Sequence, residues 1–105
     1  MRTAKVLQLQ NGNEPFSDWI ESLDIRSQAR IFAYIDRVAA GGGRKNIRAL
    51  GDGVFEIKMD FGPGYRVYFG EDGKTIILLL IGGDKKTQSK DIETAKSYWR
   101  QYVSK

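Results

Sequence analysis

From Phe55 to Phe69 the chain alternates. Phe55, Ile57 and Met59 are apolar and Glu56, Lys58 and Asp60 polar; after Gly62-Pro63-Gly64, Tyr65, Val67 and Phe69 alternate with Arg66 and Tyr68. A period of two is that of a half-buried strand, and the intervening turn residues predict a β-hairpin. Glu71-Asp72-Gly73 makes a second turn. The six consecutive apolar residues Ile76 to Ile81 then predict a strand covered on both faces and lying centrally in the sheet, ended by Gly82-Gly83.

Upstream, Ala4 to Leu9 predicts a first strand, closed by Asn11-Gly12-Asn13. Asn13 as cap and Pro15 in the first turn predict a short helix carrying Phe16, Trp19, Ile20 and Leu23 on one side. Asp24 is positioned to cap a second helix with the apolar stripe Ile25, Ala29, Phe32, Ile35 and Ala39, which Gly41-Gly42-Gly43 stops. A basic segment from Arg44 to Arg48 leads into the sheet. A last helix from about Ser89, its predicted cap, to Val103 places Ile92, Ala95, Trp99 and Tyr102 together. The expected order is β-α-α-β-β-β-α, an α+β fold with a mainly antiparallel sheet, filling residues 1–105 as one domain.

Burying both apolar sets of the hairpin requires the numbers of directly opposed residues to sum to an even value. A sum of 124 pairs Met59 with Tyr65, Ile57 with Val67 and Phe55 with Phe69 across a five-residue loop. The same register sets Lys58 opposite Arg66, with Cβ atoms about 5 Å apart, and like charges so opposed are destabilising. An anion would relieve them; so would splaying of the side chains into solvent, or neutralisation by Glu56 or Asp60. Lys85 and Lys86 follow the neighbouring strand and bring two further cations towards the same surface, which favours the anion.

Composition narrows the chemistry. Among 105 residues there is no cysteine and no histidine, which excludes thiolate metal sites and leaves proton transfer to Lys, Tyr, Asp, Glu or water. A formal net charge of +4 favours polyanionic partners. No stretch approaches the roughly 20 apolar residues of a membrane span, and the first ten residues do not read as a secretory signal, so the expected location is cytoplasmic. Asp60-Phe61-Gly62 spells a kinase tripeptide in a chain too short for a kinase lobe. Arg26, Arg30, Arg37 and Arg44 read first as a solvated helix face, and Trp19 and Trp99 as core.

The runs GDGVFEIKMDFGPGYRVYF and LLLIGGDKKTQSKDIETAKSYW resemble the RelE/ParE superfamily of bacterial type II toxins, in its HigB-like branch, and the resemblance covers nearly the whole chain. It implies a microbial-RNase-like fold with an N-terminal helical hairpin, and an endoribonuclease that cuts messenger RNA, often at the ribosome, without a metal or other cofactor. Carried over, Arg66 would stabilise the transition-state phosphate, Lys58 would serve as base, and Lys86 stands where founding members have an arginine. Lys85 and Gln88 belong to the branch signature and, with Arg44 and Lys45, are candidates for phosphate contact. Glu56 stands where a second lysine is usual and Ile92 where a tyrosine is, so Glu56 as base and Tyr68 as substitute for the tyrosine complete the candidate set.

The resemblance also implies partners: a helix-turn-helix, HigA-like antitoxin encoded nearby, messenger RNA and the ribosome, and operator DNA only through the antitoxin complex, with no membrane. Two other functions stay open on the same fold, a ParE-like inhibitor of DNA gyrase and a non-catalytic member.

Overall fold

The computed structural model describes residues 2–104. Its elements are β1 (Thr3–Val6), α1 (Pro15–Glu21), α2 (Ile25–Ala39), β2 (Ile47–Gly51), β3 (Val54–Lys58), β4 (Arg66–Asp72), β5 (Ile76–Gly83) and α3 (Gln88–Val103). The strands form one sheet in the order β1-β5-β4-β3-β2, with β1 parallel to β5 and every other pair antiparallel. The α+β, mostly antiparallel architecture is the expected one. It has one more strand, because the basic segment before the hairpin continues as β2. Between Gly51 and Val54 a two-residue turn holds Asp52 and Gly53 at positive φ, the geometry that Asp-Gly favours in tight hairpins.

The β3–β4 register pairs Phe55 with Phe69, Ile57 with Val67 and Lys58 with Arg66, and the Met59 amide donates to the Tyr65 carbonyl, as the parity argument requires. β5 is an interior strand, although β4 is the central one. β1 is shorter than expected, but the Leu7 amide still donates to the Leu79 carbonyl beyond it.

Alternation divides the core into two layers. On one face Ile57, Val67, Phe69, Ile77 and Leu79 pack against Phe16 and Ile20 of α1 and Ile31, Ile35 and Val38 of α2. On the other, Val54, Tyr68, Leu78 and Leu80 pack against Ala95 and Trp99 of α3. The α2 stripe is rotated from the expected one: Ile35 and Ala39 are buried, but Ile25 is 78% exposed and Phe32 41%. Ile31, Ile35, Val38 and Ala39 form the competing i, i+4, i+7, i+8 set, and these residues take the inner side. Phe32 instead meets the edge of Phe16.

Asp24 caps α2, its carboxylate accepting from the Ser27 amide. α1 follows Glu14 with no side-chain cap, and α3 follows Thr87, so Asn13 and Ser89 are not the caps. The hydrogen bonds from Ser27 hold the Asp24 carboxyl below its ordinary value of 3.8. A lowered folded-state pKa makes this contribution present above that value and lost as pH falls through the folded one. Thermal melts of Asp24→Ala should therefore fall below wild type at neutral pH and converge with it in strong acid.

Candidate functional site

Strand parity places Arg48 of β2, Glu56 and Lys58 of β3, and Arg66 and Tyr68 of β4 on the face that α3 packs against. The expected solvent-facing polar surface is thus partly covered: Glu56 and Arg66 are 2% and 6% exposed and Tyr68 is fully buried, while Lys58 remains exposed. Where α3 begins, a groove of about 480 Å³ stays open, lined by Lys45, Arg48, Glu56, Lys58, Arg66 and Gln88. A 3₁₀ turn, Arg44–Asn46, closes one side, tied to β3 by the Asn46 side-chain amide donating to the Lys58 carbonyl at 3.0 Å.

Arg66 is anchored at one corner. Its Nη1 donates to the Gly64 carbonyl at 2.9 Å and to the Tyr65 carbonyl at 3.3 Å, both in the hairpin loop. Buried Nε has no hydrogen-bond partner; the Glu56 carboxylate is 4.0 Å away. The guanidinium is therefore oriented while its Nε–H is without a hydrogen bond, and an unpaired buried donor is costly unless a ligand satisfies it. Held in this way, a guanidinium can present two directed donors to a phosphate.

Glu56 is clamped from two other directions. Gln88, the first residue of α3, donates to Oε2 at 2.8 Å, and Arg48 lies 3.3 Å from Oε1. Register explains the latter, since Arg48 and Glu56 are direct partners across β2 and β3. The carboxylate thus joins three elements at the groove floor, and it tempers the positive field of Arg48 and Arg66 without closing the groove.

Tyr68 does not line the groove. Its hydroxyl is buried without a hydrogen-bond partner, and burial first, then the charges of Glu56 and Asp91, push its pKa far above the ordinary 10.0. It stays a neutral phenol, a weaker acid than an exposed tyrosine. Because the unfolded chain would release this proton near pH 10.0 and the folded chain would not, stability is intact below that pH and lost above it. In an alkaline titration followed by ultraviolet absorbance, the Tyr68 phenolate should appear only together with loss of the folded circular-dichroism signal.

The remaining candidates are dispersed. Lys85 and Lys86 are exposed in the 3₁₀ turn after β5, which Asp84 caps by accepting from the Lys86 and Thr87 amides. They lie beyond Gly83, the residue paired with Arg66, at the rim rather than among the groove-lining residues. Arg44 lines a cavity on the opposite sheet face with Arg2, Ile47, Ala49, Phe55 and Phe69. Ile92 packs into the layer beneath α3. Two helix-face arginines, Arg30 and Arg37, lie over the rings of Phe61 and Tyr34. Arg48 and Asn46 are groove residues absent from the expected set; Asp52-Gly53, read as a hairpin turn, would have revealed β2, but it is the register shift between Ala49 and Gly51 that brings Arg48 opposite Glu56.

Among the described residues no group of three or more His, Cys, Asp or Glu is arranged to hold a metal ion, and no helix is long and apolar enough to cross a membrane. A family model described as phage-derived protein Gp49-like matches residues 18–100. An uncharacterized protein of Haemophilus influenzae is 43% identical over 82 residues, covering 77% of this chain and 82% of that protein.

Proposed function

Since the chain belongs to the Gp49-like family of phage-derived proteins, a toxin-like family, we propose that it is the toxin of a type II toxin–antitoxin pair and an endoribonuclease acting on messenger RNA at the ribosome. The observation that carries this reading is the anchored Arg66 with its unpartnered Nε, set in a groove between Lys58, Arg48 and Lys45. A scissile phosphate seated there accepts from Arg66, which stabilises the charge that builds on its oxygens as the RNA 2′-hydroxyl attacks. The attack forms the oxygen–phosphorus bond of a 2′,3′-cyclic phosphate and expels the 5′-oxygen of the next nucleotide.

The hydroxyl proton goes to Lys58 or Glu56, the two candidate bases on β3, and the departing oxygen takes a proton from water or the protonated base. Tyr68, buried and holding its proton tightly, acts through the packing beneath Glu56 and not as the acid. Lys85 and Lys86 at the rim guide the flanking backbone, and the reaction requires no metal.

The test is direct. Purified protein added to a translating extract should yield messenger fragments ending in 2′,3′-cyclic phosphate and 5′-hydroxyl, and a 2′-deoxy residue at the cut position should block cleavage there. Intact messenger together with inhibited DNA supercoiling would replace this reading by gyrase inhibition. The groove also separates the two base candidates. Glu56→Gln removes the carboxylate's basicity and should leave most of the cleavage in place if Lys58 is the base; Lys58→Met should then abolish it.

A further inference from the structure

A further cavity, about 300 Å³, lies between the chain leaving β1, from Leu7 to Gln10, and the last turns of α3. Gln88 at the start of that helix lines the Arg66 groove, and this cavity begins at Tyr98, about 15 Å further along the axis. Its walls are fixed. The Leu9 amide donates to the Asn13 carbonyl at 2.8 Å and the Gly12 amide to the Leu9 carbonyl at 2.9 Å, which ties down the turn after β1. On the helix, Tyr98, Gln101 and Tyr102 share one side by their i, i+3, i+4 spacing. Tyr102 is held twice, its ring stacked 5.6 Å from that of Trp99 and its hydroxyl donating to Asp72. Among the described residues no charged side chain lines this cavity, whereas arginines and a glutamate line both the Arg66 groove and the cavity on the other sheet face. In a chain that is 29% charged, such a lining selects its ligand, because it offers no counter-ion to a phosphate, a carboxylate or a cation.

We propose that this cavity binds an adenine ring. Leu7 and Leu9 supply apolar surface, Tyr98 and Tyr102 the aromatic surface that a flat ring stacks on, and Gln8, Gln10 and Gln101 bring three amides to the ring's edge. A glutamine amide carries a donor and an acceptor side by side, the complement of the N6 and N7 edge of adenine. Guanine shows two acceptors on the same edge and leaves the amide oxygen without a donor. These amides are weakly engaged within the protein. Gln8 reaches the Gly12 carbonyl at 3.4 Å and Gln101 the Ser97 hydroxyl at 3.3 Å, both beyond the usual range of such bonds. The volume lies at the low end of ligand pockets, which suits one base better than a longer segment of chain.

The ring can arrive on a free nucleoside or on a strand of RNA, and its binding stands whether or not the Arg66 groove cuts RNA. Nuclear magnetic resonance titration with adenosine tests it. Backbone amides of residues 7–10 and 98–104 should shift to saturation while those around Arg66 stay in place, and guanosine or indole should bind about tenfold more weakly or worse. The triple substitution Gln8→Met, Gln10→Met, Gln101→Met keeps side-chain length but removes the amides. It should weaken adenosine about tenfold or more and erase the preference over guanosine, with a melting temperature close to wild type because all three side chains are exposed. A short oligoadenylate that moves the same amides assigns the ring to RNA, and one that does not assigns it to the free nucleoside. Cavity amides unmoved by millimolar adenosine, guanosine or indole bound as tightly as adenosine, or a folded triple variant that binds adenosine like wild type would each overturn the proposal.

Discussion

Arg66→Ala should lower RNA cleavage by about a hundredfold or more, the usual effect of removing a donor aimed at developing charge. Arg66→Lys should recover little of it. A lysine keeps the charge but loses the planar fork, and it cannot bond the Gly64 and Tyr65 carbonyls while also presenting a donor where Nε now sits. Because Arg66 is 6% exposed beside Glu56, the variants must be compared at equal folded fraction. Glu56 retains Arg48 and Gln88 in either variant, so the sheet should survive. Cleavage that tracks side-chain charge, equal in wild type and Arg66→Lys, would mean that geometry contributes nothing.

The second large effect concerns the scaffold. Gly70 and Gly82 sit on opposite faces of the sheet, each beneath a tryptophan: Trp99 of α3 lies over Gly70 and Trp19 of α1 over Gly82. A Cβ added at either position would fall among the ring atoms, so the indole cannot stay flat on the strand. Gly70→Ala should cost about 3 kcal/mol, at the upper end of overpacking penalties, which for a domain of this size lowers the melting temperature by roughly 10–20 °C. Tilting Trp99 also displaces α3, whose first residue, Gln88, holds Glu56. Cleavage by Gly70→Ala, measured well below its melting point, should fall further than the folded fraction explains. Gly82→Ala, acting under α1, should destabilise comparably but spare the Glu56 contact.

Much of this was legible because alternation is a rigid constraint. Once Phe55, Ile57 and Val67 must share a buried face, Lys58 and Arg66 can only be opposed, and the pairing is as parity demands. Parity does not say what lies on top of a face. Glu56, Arg66 and Tyr68 alternate like solvent-facing residues, yet α3 crosses their side of the sheet, and its stripe of Ala95 and Trp99 covers Tyr68 completely. A helix docked from elsewhere in the chain leaves no mark on the strand it covers.

Other misreadings were local. In α2, two apolar lines compete at helical spacing, and the choice between Ile25-Ala29-Phe32 and Ile31-Ile35-Val38 is made by the packing of α1 and the sheet, not by period. β2 was hidden by its basic residues, although Asp52-Gly53 marks the turn that creates it. Missing that strand also hid Arg48, because its partnership with Glu56 exists only through the β2–β3 register.

The central claim is that the unused edge of Arg66 receives a backbone phosphate of RNA. Nuclear magnetic resonance of the Arg66 Nε–H group, with an RNA oligonucleotide made uncleavable by 2′-O-methylation, measures this directly. The account predicts a downfield shift and slowed solvent exchange of that proton at saturation, with both effects absent when a neutral backbone replaces the phosphates. An Arg66 Nε–H resonance unmoved while the oligonucleotide binds elsewhere on the protein would contradict it.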